Sequence, residues 1–409
     1  MKKLLVLSGD SYHIPFIKKA KEMGCYVITC DYFEHNPGHQ FADEYHNVSY
    51  MDKEGVLALA KSLQIDGIIC FAADEAATTV SHVAEQMGLP SQPYHSVEII
   101  NRKDLFRAFL EKNNFHVPKA KSYPSYEEAK EELHHFTMPV IVKPVDSSGS
   151  RGVAKITSAE QLEEKVKHAL SYSKVKRFLI EEYIEKHGYQ VGGDGFSVDG
   201  RLVFRCFSNN HLSDANVNPF IPLGGSWPSI LPHSLQQKIH DEIQRLLDIL
   251  QMKTGAYNFD IRVDKNEHVY FIEMGARNGG NLIPHIIKYA TGVDLIEYSI
   301  KAAIGEDCSD LEMVHPKGYW SCYTINSKKS GKLKRIEMKE DLKEMNVREC
   351  ELLVAPGDEV SAFTGSDKKI GSMILNYSTK EEMLGKMDHM EEWMTVIVEE
   401  AQVVNREER

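Results

Sequence analysis

The sequence lacks the features that would place it in a specialised structural class. Its seven cysteines are scattered, odd in number and free of any CxxC pair, which argues against a zinc site or a disulfide framework and predicts reduced thiols. No stretch approaches about 18 consecutive apolar residues, so no membrane-spanning helix is expected. It also contains no internal repeat and no low-complexity tract. The composition is that of an ordinary globular chain.

Basic residues are outnumbered by acidic ones, with 48 Lys and Arg against 60 Asp and Glu, which leaves a formal net charge of −12. This balance argues against nucleic acid or an anionic membrane as the main partner, because either would require a concentrated basic surface. The apolar run near the N-terminus covers only Leu4 to Leu7, too short for the core of a signal peptide. We therefore expect a cytoplasmic protein whose 409 residues divide into several subdomains.

Apolar runs and amphipathic segments alternate through residues 1 to 95, a pattern that predicts βαβ units and a doubly wound parallel sheet. Asp52 is expected to cap the second helix and Gly88 to end the third. Because the first turn lacks GxGxxG, a dinucleotide site is disfavoured relative to a structural or substrate-binding role. A ligand would meet the carboxyl edge of this sheet. The residues expected at that edge are Ser8, Gly9, Asp10, Asp31, Asp74 and Glu75.

The segment VKPVDSSGSRGV, residues 142 to 153, predicts a strand, a glycine–serine loop and a second strand. Small residues in such a loop let backbone N–H groups approach phosphate oxygens, and Lys143 and Arg151 would add positive charge. It is not a Walker A loop, since no GK[ST] follows and strands flank it. A flexible hairpin tip would show the same composition. Lys103, in a helix predicted over residues 101 to 113, is a second candidate phosphate contact, although by itself it is typical of a solvated helix.

Residues 179 to 188, LIEEYIEKHG, place two acidic residues at the end of a predicted strand. An adenine ring needs an acceptor for its amino group and a backbone donor for a ring nitrogen, inside an apolar slot. Glu181, with the backbone of Glu182 and Ile184, could supply those groups. An acidic strand end without a ligand is the alternative.

The segment YNFDIRVDKNEHVYFIEMGARNGG, residues 257 to 280, is the most specific feature of the sequence. It predicts a hairpin, and a turn centred on Asn266 and Glu267 would place Asp260 directly opposite Glu273 on one face. Two carboxylates in that arrangement repel each other unless a cation compensates, and a magnesium ion that bridges nucleotide phosphates would do so. Arg277 could then act as a charge clamp on an acyl phosphate. A register-shifted hairpin with two exposed acids is the alternative, which the apolar neighbours on both strands disfavour.

A polar, proline-rich loop that ends at Leu231 could contact a substrate, with Trp227 as one wall. An ordinary surface loop is equally consistent with this composition. The polar candidates in the loop are His211, Asp214, Asn216 and Asn218.

The chain resembles the ATP-grasp superfamily, above all its carbamoyl-phosphate-synthase-like and L-amino-acid-ligase branch. Four features carry the resemblance in chain order: Lys103, the glycine–serine loop, the hinge segment at 181–184 and the acidic hairpin. The resemblance covers essentially the whole chain. It implies an α/β fold with three parts: a Rossmann-like, doubly wound parallel-sheet domain at residues 1–95, an ATP-grasp domain of two α+β subdomains clasping ATP at 96–305, and a small C-terminal β-rich domain with a closing helix at 306–409. Residues 96–185 would include the small lid subdomain, and residues 186–305 would form the catalytic subdomain.

The resemblance also implies roles for individual residues. Lys103 and Lys143 would hold the phosphates of ATP, and Asp260 and Glu273 would hold Mg2+, with Mn2+ as a second choice. Lys143 and Arg277 would be the catalytic residues. The remaining implied nucleotide contacts are Ser147, Ser148, Gly149, Ser150, Arg151 and Gly152 in the loop, Glu181, Glu182, Tyr183 and Ile184 at the hinge, and Gln190, Ile141 and Ile272 around it.

Two positions depart from the pattern of the superfamily. Gly275 stands where an asparagine usually completes the metal site beside Glu273, so water, Asn278 or Asn281 would have to substitute. Gln190 stands where a glutamate commonly contacts the ribose, and its amide could still bind a hydroxyl group.

The resemblance implies an ATP-dependent ligase that activates a carboxylate as an acyl phosphate and couples it to an amine, or to a thiol, with release of ADP and phosphate. An amino acid is the first choice for one small-molecule substrate, and a homodimer is expected by analogy alone. A biotin-carboxylase-like enzyme that uses bicarbonate or formate is one alternative. A nucleotide-binding regulatory protein without turnover is another, and Gly275 in place of asparagine keeps it open.

Overall fold

The computed structural model of the protein describes residues 1–212 and 218–399, and the first domain lies at the N-terminal end of the chain. Its elements are β1 (Lys3–Leu7), α1 (Ile14–Glu22), β2 (Tyr26–Cys30), β3 (Glu44–His46), α2 (Lys53–Leu63), β4 (Gly67–Cys70) and α3 (Asp74–Met87). The strands form a parallel sheet in the order β3-β2-β1-β4. α1 packs on one face with Leu4 and Val6, while α2 and α3 pack on the other face with Leu5 and Leu7. This is the predicted doubly wound arrangement.

Helix ends in this domain follow from local sequence. The Asp52 side chain accepts a hydrogen bond from the Gly55 N–H at 3.0 Å, so it caps α2 as predicted. Gly88 ends α3 with a left-handed backbone, φ 67°, which glycine adopts without steric cost. The first turn of α3, with Asp74 and Glu75, follows β4 closely and lies at the carboxyl edge of the sheet.

Two short helices, α4 (Tyr94–Asn101) and α5 (Lys103–Lys112), lead out of this domain, separated by the extended backbone of Arg102. The expected domain boundary at residue 95 falls inside α4. Val97 packs in a core of the first domain and Ile100 in the core of the catalytic subdomain, so α4 joins the two.

The lid subdomain comprises β5 (Ala120–Tyr123), α6 (Tyr126–Glu132), β6 (Val140–Pro144), β7 (Ala154–Ile156), α7 (Leu162–Tyr172) and β8 (Phe178–Glu182). The strands are antiparallel in the order β5-β8-β6-β7, and α6 and α7 cover one face through Val140, Val142 and Ile180. β6 and β7 form the predicted hairpin around the glycine–serine loop, which we define as residues 147–152. Because side chains alternate along a strand, Lys143 and Glu181 lie on the uncovered face.

The catalytic subdomain comprises β9 (Gln190–Val198), β10 (Arg201–His211), β11 (Gly224–Trp227), α8 (His233–Ile249), β12 (Gly255–Val263), β13 (Val269–Gly275), α9 (Ile283–Thr291) and α10 (Leu295–Ala303). Helix α8 packs against the sheet in a core that contains Ile243, Phe259 and Phe271. The sequence interpretation did not identify α9 and α10.

The C-terminal part comprises β14 (Tyr319–Ile325), β15 (Gly331–Met338), β16 (Val347–Leu352), β17 (Glu359–Val360), β18 (Gly371–Tyr377), α11 (Lys380–Asp388) and β19 (Met394–Glu399). β11 pairs with β14, which creates one sheet of eight strands in the order β13-β12-β9-β10-β11-β14-β18-β16. A second sheet has the order β17-β15-β19. The β-rich C-terminal part therefore continues the catalytic sheet.

Across the described residues, no helix is both long and apolar enough to span a lipid bilayer. All seven cysteines are free thiols, six of them buried and Cys350 exposed, in agreement with the predicted absence of a disulfide framework.

Candidate active site

Asp260 on β12 and Glu273 on β13 lie directly opposite each other, which confirms the predicted pairing. The register arises differently from the expectation. The turn is centred on Asn266 alone, and a β-bulge after Phe271 brings Glu273, rather than Ile272, opposite Asp260. We call Asp260 and Glu273 the opposed carboxylates.

Of the opposed carboxylates, Asp260 has only neutral hydrogen-bond donors and Glu273 has one ammonium partner. Asp260 Oδ1 accepts hydrogen bonds from the amides of Gln190 and Asn210, each at 3.0 Å. Burial and the Glu273 carboxylate raise the pKa of Asp260 to about 7. Glu273 Oε1 accepts from Lys103 Nζ at 3.2 Å. A divalent cation would relieve the repulsion between the two carboxylates.

A metal ion here would need ligands from a second molecule. Among the described residues no group of three or more His, Cys, Asp or Glu side chains could hold a metal by itself. Mg2+ commonly takes one or two carboxylates and completes its shell with water and phosphate oxygens. Asp260 and Glu273 fit that requirement. Asn278, named above as a substitute ligand, instead accepts from Ser299 through Oδ1 at 2.6 Å.

The two predicted phosphate lysines lie on either side of the same cleft. Lys103, the first residue of α5, is buried and donates to the carbonyl of Ser147 at 2.6 Å as well as to Glu273. Lys143 on β6 is buried and donates to Glu181. Burial lowers the pKa of Lys143 to about 8, although Glu181 opposes that change. The cleft between the lid sheet and the catalytic sheet therefore combines two ammonium groups with the opposed carboxylates.

Arg107 is the most important site residue that the sequence interpretation missed. Its guanidinium donates to Glu181 at 2.8 Å and to the carbonyls of Phe271 and Ile272 at 3.0 Å each. Burial alone would raise the pKa of Glu181, but Arg107 and Lys143 together lower it to about 2. The Glu181 carboxylate is thus an ionised partner of two cations. Each of its oxygens already accepts from one cation, and the expected contact with an adenine amino group stays a prediction.

The sequence held a signal for Arg107. Lys103 and Arg107 are four residues apart, so they share one face of α5 with the buried residues Phe106 and Leu110. Two cations on the apolar side of an amphipathic helix indicate buried charge partners, since an unpaired charge is rarely buried.

The hinge segment after β8 offers backbone groups rather than side chains. The Glu182 carboxylate accepts from the Thr137 N–H at 2.8 Å, and the Glu182 N–H donates to the carbonyl of Lys119 at 2.9 Å. The carbonyl of Ile184 accepts from Arg262 at 2.8 Å. Within the described chain the N–H of Ile184 has no acceptor. It is the free donor that a ring nitrogen would require.

The remaining hinge and wall candidates are spread around this point. The Lys155 ammonium lies 3.8 Å from the centre of the Tyr183 ring. Ile141 is buried two residues before Lys143 on the same face of the lid sheet, and Ile272 is the half-buried residue of the bulge in β13. Ile141 and Ile272 therefore bound the cleft from two different sheets.

Gln190 does not offer its amide to the cleft as a free ribose contact. Its Nε2 donates to Asp260, and its Oε1 accepts from Arg262 Nε at 3.2 Å. β9 lies next to β12, so residue 190 faces residues 260 and 262 of the neighbouring strand. In the structure Gln190 therefore holds the metal-candidate Asp260, and its expected ribose contact stays a prediction.

The glycine–serine loop contacts elements on both sides of the cleft. Gly149 and Ser150 have left-handed backbone angles, φ 65° and 57°, and Ser150 Oγ donates to the carbonyl of Phe220 at 2.9 Å. Arg151 donates to the carbonyl of Ser148 at 3.0 Å and lies 3.6 Å from Glu75 of the first domain. The guanidinium of Arg151 is therefore engaged by the loop itself and by the first domain, and its expected phosphate contact stays a prediction. The other loop candidates are Ser147, which is buried, and Gly152, φ 75°.

Arg277 lies where the first domain meets the opposed carboxylates. It forms an ion pair with Asp74 at 2.7 Å, and both side chains are largely buried. Burial would lower the pKa of Arg277, but Asp74 raises it, so the guanidinium is charged. Its Nε is buried without a partner in the described structure. A charged group with a free donor can bind a carboxylate or an acyl phosphate.

Asp194 on β9 supports the segment that carries Arg277. Its carboxylate accepts from the Gly279 N–H at 2.9 Å and from Asn258 Nδ2 at 2.8 Å. Burial raises the pKa of Asp194 to about 6, although these donors oppose the change. The sequence offered no signal for this residue, because GGDGF resembles an exposed turn.

The polar loop candidates divide into three groups. Trp227 is fully buried in the core and donates to the carbonyl of Cys206 at 3.3 Å, so it does not line the cleft. His211 is buried between Asp388 and Ser226, at 2.8 Å from each. Asn218 donates to the carbonyl of Ser150 at 3.0 Å and thus contacts the glycine–serine loop. The candidates outside the described residues are Asp214 and Asn216.

Comparison with known proteins agrees with this geometry. Residues 136–285 match a family model described as an ATP-grasp domain, and residues 324–399 match L-amino acid ligase C-terminal domain 2. The chain is 27% identical over 238 residues to the carbamoyl phosphate synthase large chain of Thermoanaerobacter sp. (strain X514). The aligned region covers 57% of this chain and 21% of that protein. The chain spans about a fifth to about half of the length of the curated relatives it matches.

Solved structures share the fold over nearly the whole chain. The L-amino acid ligase from Bacillus licheniformis has a TM-score of 0.80 at 20% identity, with 98% of this chain and 99% of that chain covered. The biotin carboxylase domain of Hydrogenobacter thermophilus 2-oxoglutarate carboxylase, in complex with MgADP, ADP and bicarbonate, has a TM-score of 0.74 at 18% identity, with 97% and 90% covered. At these identities the structures show the fold alone. The two family models therefore show that the chain carries an ATP-grasp domain at residues 136–285 and an L-amino acid ligase C-terminal domain at residues 324–399.

Proposed function

We propose that this protein is an ATP-dependent carboxylate–amine ligase that forms an acyl phosphate and releases ADP and phosphate. The observation that carries the proposal is the cleft in which Lys103 contacts Glu273 of the opposed carboxylates, while the Lys143 ammonium lies near Lys103 and contacts Glu181. A triphosphate needs cationic side chains for its oxygens and carboxylates for its magnesium ion. This cleft supplies both.

The nucleotide is proposed to lie between the lid sheet and the catalytic sheet. The free N–H of Ile184 would bind a ring nitrogen of adenine, and Ile141 and Ile272 would enclose the ring. Lys103 and Lys143 would contact the phosphates at the other end. Asp260 and Glu273 would hold Mg2+, which when bound neutralises charge on the transferring phosphoryl group.

The reaction has two steps. An oxygen of the substrate carboxylate attacks the γ-phosphorus, the bond to the β-phosphate oxygen breaks, and ADP leaves. The amine lone pair then attacks the acyl carbon, the bond from that carbon to the phosphate oxygen breaks, and inorganic phosphate leaves as the amine loses a proton. Arg277 lies beside the opposed carboxylates, so its charge would stabilise the acyl phosphate and orient the carboxylate. The glycine–serine loop would exclude water, which otherwise hydrolyses the intermediate.

An amino acid is the proposed identity of at least one substrate. Two findings support this finer assignment: the match of residues 324–399 to an L-amino acid ligase domain, and the position of Arg277 at the carboxyl edge of the first sheet. A guanidinium at such an edge suits a small carboxylate.

The test is ADP formation by the purified full-length chain with Mg-ATP, against amino acids singly and in pairs. Bicarbonate, formate and small carboxylates are run in parallel, and Glu273→Ala protein controls for contaminating ATPase. We expect ADP release that requires one carboxylate, rises with an amine and yields an amide detectable by mass spectrometry. ADP release with bicarbonate or formate alone would favour a carboxylase-type enzyme. ATP binding without ADP release under any mixture would refute a ligase for these substrates.

A further inference from the structure

Two consecutive carboxylates, Asp74 and Glu75, begin α3 at the carboxyl edge of the first sheet, and the proposed reaction uses neither of them. Their side chains are only 13% and 23% exposed. Each contacts cations from a different part of the ATP-grasp domain. We call these residues the α3 acidic pair.

Asp74 holds Arg277 in a position that depends on Gly275. The two charged groups are 2.7 Å apart. A Cβ atom on Gly275 would lie 2.6 Å from Asp74 Oδ1 and 3.1 Å from the guanidinium carbon of Arg277. A side chain at position 275 would therefore require the Asp74 carboxylate, and to a smaller extent the Arg277 guanidinium, to shift. Glycine at this position leaves the ion pair undisturbed.

Glu75 contacts two separate segments of the lid subdomain. Its carboxylate lies 3.6 Å from Arg151 and 3.4 Å from Lys174. Arg151 is in the glycine–serine loop, and Lys174 follows α7. The opposite side of the loop is fixed by the hydrogen bond from Ser150 to the carbonyl of Phe220. The loop is thus held between the first domain and the catalytic subdomain.

We propose that Asp74 and Glu75 are positioning residues of the nucleotide site: Asp74 orients Arg277 toward the reacting carboxylate, and Glu75 keeps the glycine–serine loop closed over the acyl phosphate. This inference rests on the proposed function, because the reacting carboxylate and the acyl phosphate belong to that reaction. Without Glu75 the loop opens, and water attacks the acyl phosphate, which returns the carboxylate and releases phosphate. Without Asp74 the loop stays closed, but Arg277 loses its orientation.

Hydrogen–deuterium exchange tests the two contacts separately, in full-length protein with Mg-ADP. The variants are Glu75→Gln, Asp74→Asn and, as a matched control on the neighbouring helix α2, Glu54→Gln, whose side chain is 79% exposed. We expect Glu75→Gln to raise exchange in residues 147–152 by about two- to fivefold, the range for loss of partly exposed ion pairs. Asp74→Asn should raise exchange in residues 276–282 by a similar factor. Each variant should match the control in the other segment.

Kinetics supply a readout that a merely structural role would not move. Glu75→Gln should increase phosphate released per amide formed without a large change in KM. Asp74→Asn should raise the KM for the carboxylate at an unchanged phosphate-to-amide ratio. Gly275→Ala, whose methyl group would displace the Asp74 carboxylate, should reproduce the Asp74→Asn pattern.

The proposal is overturned if either variant matches Glu54→Gln in its own segment, or if both variants loosen both segments alike. The exchange measurement requires no substrate. A selective exchange pattern in a protein without turnover would therefore refute the proposed ligase, and with it the roles toward the carboxylate and the acyl phosphate, while the two contacts would stay in place.

Discussion

Substitution of Arg107 tests whether the buried charge cluster holds the lid sheet against the catalytic sheet. Arg107→Met keeps most of the side-chain volume but removes the ion pair with Glu181 and the two donors to the Phe271 and Ile272 carbonyls. Loss of one partner of a buried ion pair costs about 3–5 kcal/mol, because the other charge stays buried. Lys143 still contacts Glu181 in this variant, so we expect the lower end, about 3 kcal/mol.

A double-mutant cycle isolates the charge contribution. Glu181→Gln removes the carboxylate that Arg107→Met leaves underpaired, so the double variant should be less destabilised than the sum of the single ones. The expected coupling is about 2 kcal/mol, within the range for contacting residues. Reversible urea unfolding at pH 7, followed by circular dichroism and tryptophan fluorescence, measures the four proteins.

Arg335→Met is the matched control, because Arg335 pairs with Glu337 at 2.7 Å while both side chains are more than half exposed, at 60% and 55%. No measurable loss of stability is expected for it. The reasoning would be refuted by an Arg107→Met protein as stable as this control, or by strictly additive effects in the cycle.

Other consequences of the site can be measured directly. Lys143→Ala should weaken ADP binding by about tenfold or more, because a charge-assisted hydrogen bond is lost. Titration calorimetry measures this affinity, and an unchanged value would contradict the prediction. Since burial holds the pKa of Lys143 at about 8, wild-type ADP affinity should fall between pH 7 and pH 9 as the ammonium loses its proton, whereas a flat profile would argue against this contact. Glu273→Ala should abolish ADP formation with little change in melting temperature, since the side chain is 32% exposed. Full activity of this variant would refute the assignment of Glu273 as a metal ligand. The pKa of Glu181 falls from 4.5 to about 2 on folding, so this group contributes stability that is present above pH 4.5 and lost as pH drops toward 2. Glu181→Gln should remove that part of the pH dependence of stability in acid unfolding curves. The same pH dependence in the variant and the wild type would contradict this prediction.

Local pattern was enough to predict several elements of the fold. The βαβ alternation, the cap at Asp52, the β6–β7 hairpin and the pairing of Asp260 with Glu273 depend on residues close in sequence. The pairing of Asp260 with Glu273 is confirmed although the turn is centred one half-residue earlier than predicted, because a bulge after Phe271 restores the register at these two residues. α4, α9 and α10 were missed, because short helices beside proline and glycine carry weak periodicity.

The partners of the site residues could not be read in the same way. Arg107 and Glu181 are 74 residues apart, and Arg277 and Asp74 are 203 apart. Which cation meets which carboxylate depends on how the separate sheets pack. For this reason Glu181 and Gln190 were given nucleotide contacts, whereas the structure uses them to bind Arg107, Lys143, Asp260 and Arg262.

The sequence by itself determined the class of the fold, the glycine–serine loop and the opposed carboxylates, since these follow from strand and helix periods and from one hairpin. Only the tertiary structure decided that Arg277 is held by Asp74, that a side chain at position 275 would displace that ion pair, and that the C-terminal strands continue the catalytic sheet. The physical reason is that a buried charge must find a partner wherever packing places one, and packing joins segments that no local period connects.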